Sequence, residues 1–228
     1  MKRTPLVLSL VLLLSFCAHA QSVADGVAQD GTYVNPGLGF TFEYPKDWVV
    51  HGGATNERIR AIGREKATES GMSEASVDAG LKNTYQLLTV FRHPIGTPGV
   101  GYNPAILVVA ENVAHAPGIA NGKDYLLKVR EVMLKSGSQV RLKNPKEYHF
   151  AETQFFRDDF AFDANGVHVI QVYFATVIKG HVLVFVFMGD AQKSVDEMTK
   201  AMKTFDTVLP VRRGITTIIG SEKERKPN

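Results

Sequence analysis

Histidine is the residue type in this 228-residue chain with the widest chemical use, because its ring can act as a base or bind a metal. Six histidines lie beyond residue 20, well apart from one another: His51, His93, His115, His149, His168 and His181. Asn165-Gly166 predicts a tight two-residue hairpin turn, which places His168 opposite Asp163. A His–Asp pair can orient a base or a metal ligand, but at a hairpin end it is more commonly a surface hydrogen bond. The histidines therefore predict no catalytic or metal site.

Residues 118–124 share some features of a phosphate-binding loop. However, three residues separate Gly118 from Gly122 where such a loop has four, and Asp124 stands where a Mg²⁺-binding hydroxyl belongs. We interpret the stretch as the start of a helix capped by Asn121. The chain also contains no Gly-x-Ser-x-Gly and no His-Glu-x-x-His motif. The sequence therefore predicts a non-enzyme with no cofactor.

Three oxygen-bearing side chains, Asp159, Asp163 and Asn165, raise the alternative of a calcium loop. They alternate along a predicted hairpin and lack the spacing and terminal glutamate that such a loop needs. The simpler interpretation is a polar edge strand and its turn. No metal ligand is assigned.

The first twenty residues have the pattern of a secretory signal peptide. Lys2 and Arg3 precede an apolar run over 6–16, and Ala18-His19-Ala20 forms a small-x-small cleavage site. We expect cleavage after Ala20 and a periplasmic or extracellular mature protein. The net charge of the whole chain is only +3, and without Lys2 and Arg3 the charges nearly balance. Nucleic-acid binding is therefore not predicted.

Cys17, the one cysteine, lies within this segment, so no disulfide or thiolate site is predicted for the mature chain. Leu14-Ser15-Phe16-Cys17 raises the alternative of a lipid-anchored N-terminus, although that motif favours a small residue where Phe16 stands. A mature N-terminus at Gln21 would exclude the lipid. No later apolar stretch is long enough for an integral membrane span.

The remaining chain divides into a flexible leader over 21–30, a single domain over 31–210 and a polar tail over 211–228. Within the domain, a hairpin is predicted over 32–44 and a helical insertion over about 54–82. A helix after Asn121 and a last helix starting near Ser194, with a capping box, each carry one apolar stripe.

A meander of three strands is predicted over 152–163, 167–178 and 181–188, with tight turns at Asn165-Gly166 and Lys179-Gly180. The register that these turns impose makes both faces of the sheet apolar at its centre. The run over 105–109 is likewise apolar at every position. Helices must therefore cover both faces, which predicts an α+β fold, a three-layer α/β/α sandwich around a mainly antiparallel sheet.

The opening "YVNPGLGFTFEYPKDW" (33–48), the meander, and the final helix running into "MKTFDTVLP" (202–210) together resemble the PsbP-like family. This family includes the extrinsic PsbP subunit of photosystem II, a Ran-binding nuclear import factor and many exported bacterial proteins of unknown function. The resemblance covers about 31–209, and its most motif-like part is the aromatic-x-Tyr-Pro-x-x-Trp stretch that ends at Trp48. It implies the same sandwich fold and protein-binding or chaperone-like roles without catalysis. The insertion over 54–82 departs from the plant pattern, and no ligand motif supports retention of Mn or Ca.

Two loops, 93–104 and 113–121, flank the apolar run at 105–109 and are candidates for binding, although plain connections explain them as well. The leading hypothesis is an exported, non-catalytic module that binds another envelope protein or peptide. The alternative is an envelope hydrolase whose active-site residues come from distant loops. A metal-retaining protein is a weaker third hypothesis. The sequence leaves the oligomeric state open.

Overall fold

The structure is a computed structural model that describes residues 22–69, 71–114, 116–164 and 166–207. The predicted signal peptide with Cys17, His115 and the predicted tail over 211–228 lie outside these residues. In the described ranges the chain forms strands and helices in this order: β1 (Val27–Gln29), β2 (Thr32–Asn35), β3 (Phe40–Glu43), β4 (Val49–His51), α1 (Ala54–Glu69), α2 (Glu74–Lys82), β5 (Thr84–Phe91), β6 (Ala105–Asn112), α3 (Gly122–Lys135), β7 (Gln139–Val140), β8 (Lys146–Phe150), β9 (Thr153–Ala164), β10 (Val167–Ile178), β11 (His181–Gly189), α4 (Gln192–Thr199) and a 3₁₀ helix (Lys200–Thr204).

An eight-stranded antiparallel sheet forms the centre of the fold, in the order β4-β5-β6-β11-β10-β9-β7, with β8 pairing to β9 beside β7. The predicted register is confirmed, since Val167 faces Ala164 and Ile178 faces His181. The two-residue turns fix this register. Because side chains alternate between the two faces of a strand, a slip of one residue would move every apolar side chain of that strand to the opposite face.

Each face of the central sheet is covered, as the apolar pattern requires. One face packs against α3 and against Ile59 of α1. The other packs against the small antiparallel sheet β1-β2-β3, α4 and the 3₁₀ helix. The predicted α+β class with a mainly antiparallel sheet is confirmed. One outer layer, however, is not made of helices alone, since it combines the β1-β2-β3 sheet with α4 and the 3₁₀ helix.

The helical insertion predicted over 54–82 is present as α1 and α2. Arg60 on α1 donates hydrogen bonds to the carbonyl oxygens of Leu81 and Thr84, and Arg64 forms an ion pair with Asp78 on α2. The two helices therefore brace each other beside β5.

The predicted flexible leader was wrong for residues 22–30, because this segment contains β1 and packs on the domain. Asn35 donates from Nδ2 to the carbonyl oxygen of Val23 at 2.8 Å. Gly26 lies against the hydroxyl of Tyr33, and a Cβ at that position would collide with it. A three-residue strand is too short to show a period of two, so it left no recognisable pattern.

Two further expectations need correction. The strand carrying Asp159 is not an edge strand there, because β8 and β7 pair along its outer side at 153–157 and 160–161; Asp163 lies beyond this pairing. The last helix begins at Gln192 with Ala191 as its N-cap, and no side chain caps it, so the predicted capping box at Ser194 is absent. The helix starts early because Val195 and Met198 must reach the core directly after β11.

Candidate binding site

The most unusual feature of the central sheet is the point where β9 and β10 separate. Their pairing ends at Phe156 opposite Ala175. Beyond it, β9 continues over 153–155 and β10 over 176–178, and no pairing joins these two ends in the described chain. The end of β9 pairs instead with β8 on its other side, and the end of β10 pairs with β11. Among the described residues, each strand end therefore has one edge without a partner strand.

A cleft of about 340 Å³ lies between these strand ends. We name it the β9–β10 cleft. It is lined by Ala120, Asn121, Gly122, Glu152, Thr153, Gln154, Thr176, Val177 and Ile178. Backbone N–H and C=O groups of a strand alternate between its two neighbours, so each strand end directs some of them into the cleft. The cleft thus offers a strand edge together with small and polar side chains.

The start of α3 forms one wall of the β9–β10 cleft. Gly122 lies directly against the carbonyl oxygen of Ala175, where a Cβ would collide, so the glycine permits this close approach. Asn121 caps the helix as predicted, accepting at Oδ1 from the amides of Lys123 at 2.9 Å and Asp124 at 3.1 Å. The helix start is therefore satisfied from within the chain.

A buried contact that the sequence did not predict holds α3 in place. The hydroxyl of Tyr125 donates to Oε2 of Glu111 on β6 at 2.9 Å. Burial raises the pKa of the Glu111 carboxyl, and the hydrogen bond from Tyr125 offsets part of this. The available signal was the glutamate at the end of the apolar run in β6. A charged side chain on a covered face of the sheet needs a partner, because burying an unpaired charge is costly.

A second contact that the sequence did not predict, an ion pair, joins α3 to β9. Arg130 donates from Nε and Nη2 to the Asp158 carboxylate at 2.8–3.0 Å, and Asp158 is fully buried. Burial raises the pKa of Asp158, which outweighs the lowering effect of Arg130. On the other face of β9, Arg157 pairs with Asp159 at 2.7 Å. These contacts keep β9 in place next to the separation.

The predicted pair of His168 and Asp163 forms, with Nδ1 and Oδ1 2.9 Å apart. The side chains are 52% and 76% exposed, which fits a surface hydrogen bond at a hairpin end. The described histidines are not brought together, and no cluster of three or more His, Cys, Asp or Glu residues occurs in the described ranges.

The two loops singled out by the sequence lie at opposite ends of β6. Loop 113–121 leads into α3 and contributes Ala120 and Asn121 to the cleft. Loop 93–104 is closed by Asn103, whose side chain bonds both backbone groups of His93 at 2.7–3.0 Å. In that loop, burial and nearby Asp190 raise the pKa of Tyr102 to about 12. Of these two loops, only 113–121 lines the cleft.

None of the helices in the described ranges combines the length and the apolar character needed to cross a membrane.

Comparison with known proteins identifies structural neighbours only. Cyanobacterial PsbP from Synechocystis matches with a TM-score of 0.46 and 12% identity, covering 79% of this chain and 94% of the neighbour. LpqN of Mycobacterium tuberculosis, described as involved in cell envelope biogenesis, matches with a TM-score of 0.34 and 11% identity over 72% of this chain and 78% of LpqN. A PsbP protein, of the family that the sequence resembles, is therefore among the structural neighbours.

A protein from Bacteroides thetaiotaomicron matches with a TM-score of 0.43 and 12% identity over 78% of this chain. The match covers 48% of that neighbour, so this chain spans about half its length. No family model and no curated protein matches the chain. The assignment of function therefore rests on this chain's own residues.

Proposed function

We propose that this chain is an exported, non-catalytic protein that binds another protein or a peptide in the bacterial cell envelope. The observation that carries the proposal is the pair of unpaired strand ends in the β9–β10 cleft. The signal-peptide pattern over 1–20 supports the envelope as the location.

An extended peptide suits the cleft for a physical reason. Backbone N–H and C=O groups that lack a strand partner are satisfied best by another strand, and the main-chain hydrogen bonds of such an added strand give affinity. Val177 on β10 and Thr153 on β9, both partly exposed, stand where such a strand would pass. Small side chains at the start of α3 leave room for the residues of the bound peptide.

The hydrolase alternative gains no specific support from this site. Glu152 is the one titratable side chain among the lining residues of the cleft, and it is exposed. General acid–base hydrolysis places a second such group within reach of the reacting atoms.

Site-specific photo-crosslinking in cells tests the proposal. A photo-reactive amino acid is introduced in the full-length protein at Gln154, which lines the cleft and is exposed. The matched control carries it at Lys193, an exposed position on α4 that does not line the cleft. Crosslinked products are purified under denaturing conditions and identified by mass spectrometry.

We expect one reproducible envelope partner from position 154 and none of it from position 193. The same partner from both positions would assign binding to another surface. Absence of any partner from position 154 would contradict the proposed function.

A further inference from the structure

The walls of the β9–β10 cleft carry one charge, and it is negative. Glu152 is the one titratable side chain among the residues that line the cleft. Lys123 and Lys179 directly follow lining residues in the sequence but do not line the cleft themselves. Nζ of Lys179 donates instead to the carbonyl oxygen of Gly37 at 3.0 Å. A bound chain therefore meets an acidic surface.

The Glu152 carboxylate has no hydrogen-bond or ion-pair partner among the described residues. The nearby Glu147 on β8 differs in this respect, since it accepts from Nε2 of Gln154 at 2.7 Å and lies 3.7 Å from Nε2 of His149. Glu152 is exposed, so its carboxylate is accessible to a cation from another molecule. Hydrogen bonds from a cationic side chain to a carboxylate are stronger than those between neutral groups.

A strained turn holds Glu152 at the open end of the cleft. Phe150 pairs with Thr153, so Ala151 and Glu152 form the two-residue turn between β8 and β9. The φ of Ala151 is 46°, in the left-handed region that favours glycine. A residue keeps such a conformation only where the surrounding structure enforces it. The β8–β9 pairing therefore fixes the turn and the position of Glu152.

A strand bound along β10 at 176–178 would pass from the start of α3 toward this turn. Gly122 lies against the carbonyl oxygen of Ala175, at the closed end of the cleft where the β9–β10 pairing stops. Glu152 directly precedes β9 and lies at the opposite end. Three strand residues span about 10 Å, so a short peptide can occupy both ends.

We propose that the peptide bound in the β9–β10 cleft carries a lysine or arginine where it leaves the cleft, and that this side chain pairs with Glu152. The inference rests on the proposed function, because it assigns a partner chemistry to the same site. Main-chain hydrogen bonds give affinity to many sequences alike, whereas side-chain contacts select among them. Glu152 thus determines specificity, because it attracts a basic peptide and repels an acidic one.

Selection from a library of random eight-residue peptides displayed on phage tests the inference. The library is selected on the purified full chain and on its Glu152→Gln and Glu152→Lys variants. The matched control is Glu131→Gln, which removes an exposed charge of α3 outside the cleft. Sequencing of the bound phage gives the residue preference at each peptide position.

We expect the original chain and Glu131→Gln to enrich lysine or arginine at one shared peptide position. Glu152→Gln should abolish this preference and Glu152→Lys should replace it with an acidic one, because like charges exclude the wrong partner. The same basic preference in all four proteins would overturn the inference, and so would enriched peptides with no basic preference.

Binding of one enriched peptide separates a direct pair from an indirect effect of the substitution. The probe is this peptide, compared with a version in which methionine replaces the basic residue. We expect methionine to weaken binding to the original chain by about fivefold, as for an exposed ion pair, and to leave binding to Glu152→Gln unchanged. Equal weakening with both proteins would contradict a pair with Glu152.

Hydrogen–deuterium exchange locates the bound peptide. Backbone amides at 176–178 should exchange more slowly when the enriched peptide is added, because a strand partner protects them. A peptide that binds without slowing this exchange lies elsewhere, which would overturn the inference.

The two proposals fail in distinguishable ways. If peptides slow the exchange at 176–178 but show no preference that depends on Glu152, the inference fails and the peptide-binding function stands. The partner captured in cells at position 154 gives a parallel test, since Glu152→Lys should lose it and Glu131→Gln should keep it. Capture that persists in Glu152→Lys contradicts the inference alone. If neither a peptide nor a partner is captured, both proposals fail.

Discussion

At the scale of single residues, the buried ion pair between Arg130 and Asp158 offers a sharp test. Replacing Asp158 with Leu leaves the guanidinium of Arg130 without its buried partner, and we expect a loss of about 3–5 kcal/mol in the free energy of unfolding. The double variant Arg130→Met with Asp158→Leu removes both charges and should recover most of this loss. Urea unfolding of the three proteins provides the measurement.

The exposed pair of Lys200 and Glu197, 2.7 Å apart, is the control for this experiment. Glu197→Gln should change the free energy of unfolding by less than about 1 kcal/mol, because solvent screens exposed charges. A single Asp158→Leu variant as stable as the double variant would contradict a stabilising role for the carboxylate.

The sequence predicted one residue pair and missed another for a clear reason. His168 and Asp163 lie five positions apart across a two-residue turn, so turn chemistry alone sets their pairing. Asp158 and Arg130 lie 28 positions apart, on a strand and a helix. Their contact depends on where α3 packs, which one sequence does not specify. The position of Asp158 on an apolar face was nevertheless a signal that a partner must exist.

At the scale of elements, the two helix starts make contrasting predictions. Asn121→Ala removes an oxygen that accepts from two backbone amides of α3, and we expect a cost of about 1 kcal/mol. Ser194→Ala should change stability by no more than about 0.5 kcal/mol, because Ser194 lies inside α4 and does not cap it. Thermal or urea unfolding of the two alanine variants measures the difference. A larger loss for Ser194 would restore the capping box that the sequence predicted.

Long elements with a clear period were predictable, and short ones were not. The twelve-residue strands β9 and β10 and the fourteen-residue α3 show several repeats of their period. The three residues of β1 and the two of β7 show none, so the outer side of β9 was mistaken for an edge. The capping motif at Ser194 was misleading because such motifs also occur within a helix.

At the scale of the whole molecule, the layers followed from the sequence but the β9–β10 cleft did not. Both faces of the meander are apolar, and that alone requires two covering layers. The cleft exists because β9 changes its partner strand along its length: it pairs with β10 from Phe156 onward and only with β8 before it. This change of partner depends on the hairpin that joins β8 to β9 and on the packing of α3 against β10, which is remote from α3 in sequence. Gly122 was visible in the sequence, but its contact with Ala175 was not.

The free energy of unfolding of the whole protein should depend on the ionisation of the buried Glu111 carboxyl. Because burial raises its pKa above the usual 4.5, the folded protein keeps this proton at pH values where the unfolded chain has already lost it. The unfolded state then binds fewer protons, so the free energy of unfolding falls as pH rises from near 4.5 through the raised pKa. The fall is about 1.4 kcal/mol for each unit of pKa difference. Asp158, whose pKa is raised by burial, acts in the same direction.

Glu111→Gln isolates the contribution of Glu111, because the amide oxygen can still accept from Tyr125 but no longer ionises. We expect this variant to lose less stability than the original chain between pH 4.5 and 7, measured by urea unfolding at several pH values. Glu131→Gln, which removes the same charge from an exposed position on α3, is the matched control. If the Glu111→Gln and Glu131→Gln variants show the same pH slope, the buried contact between β6 and α3 does not control this part of the stability.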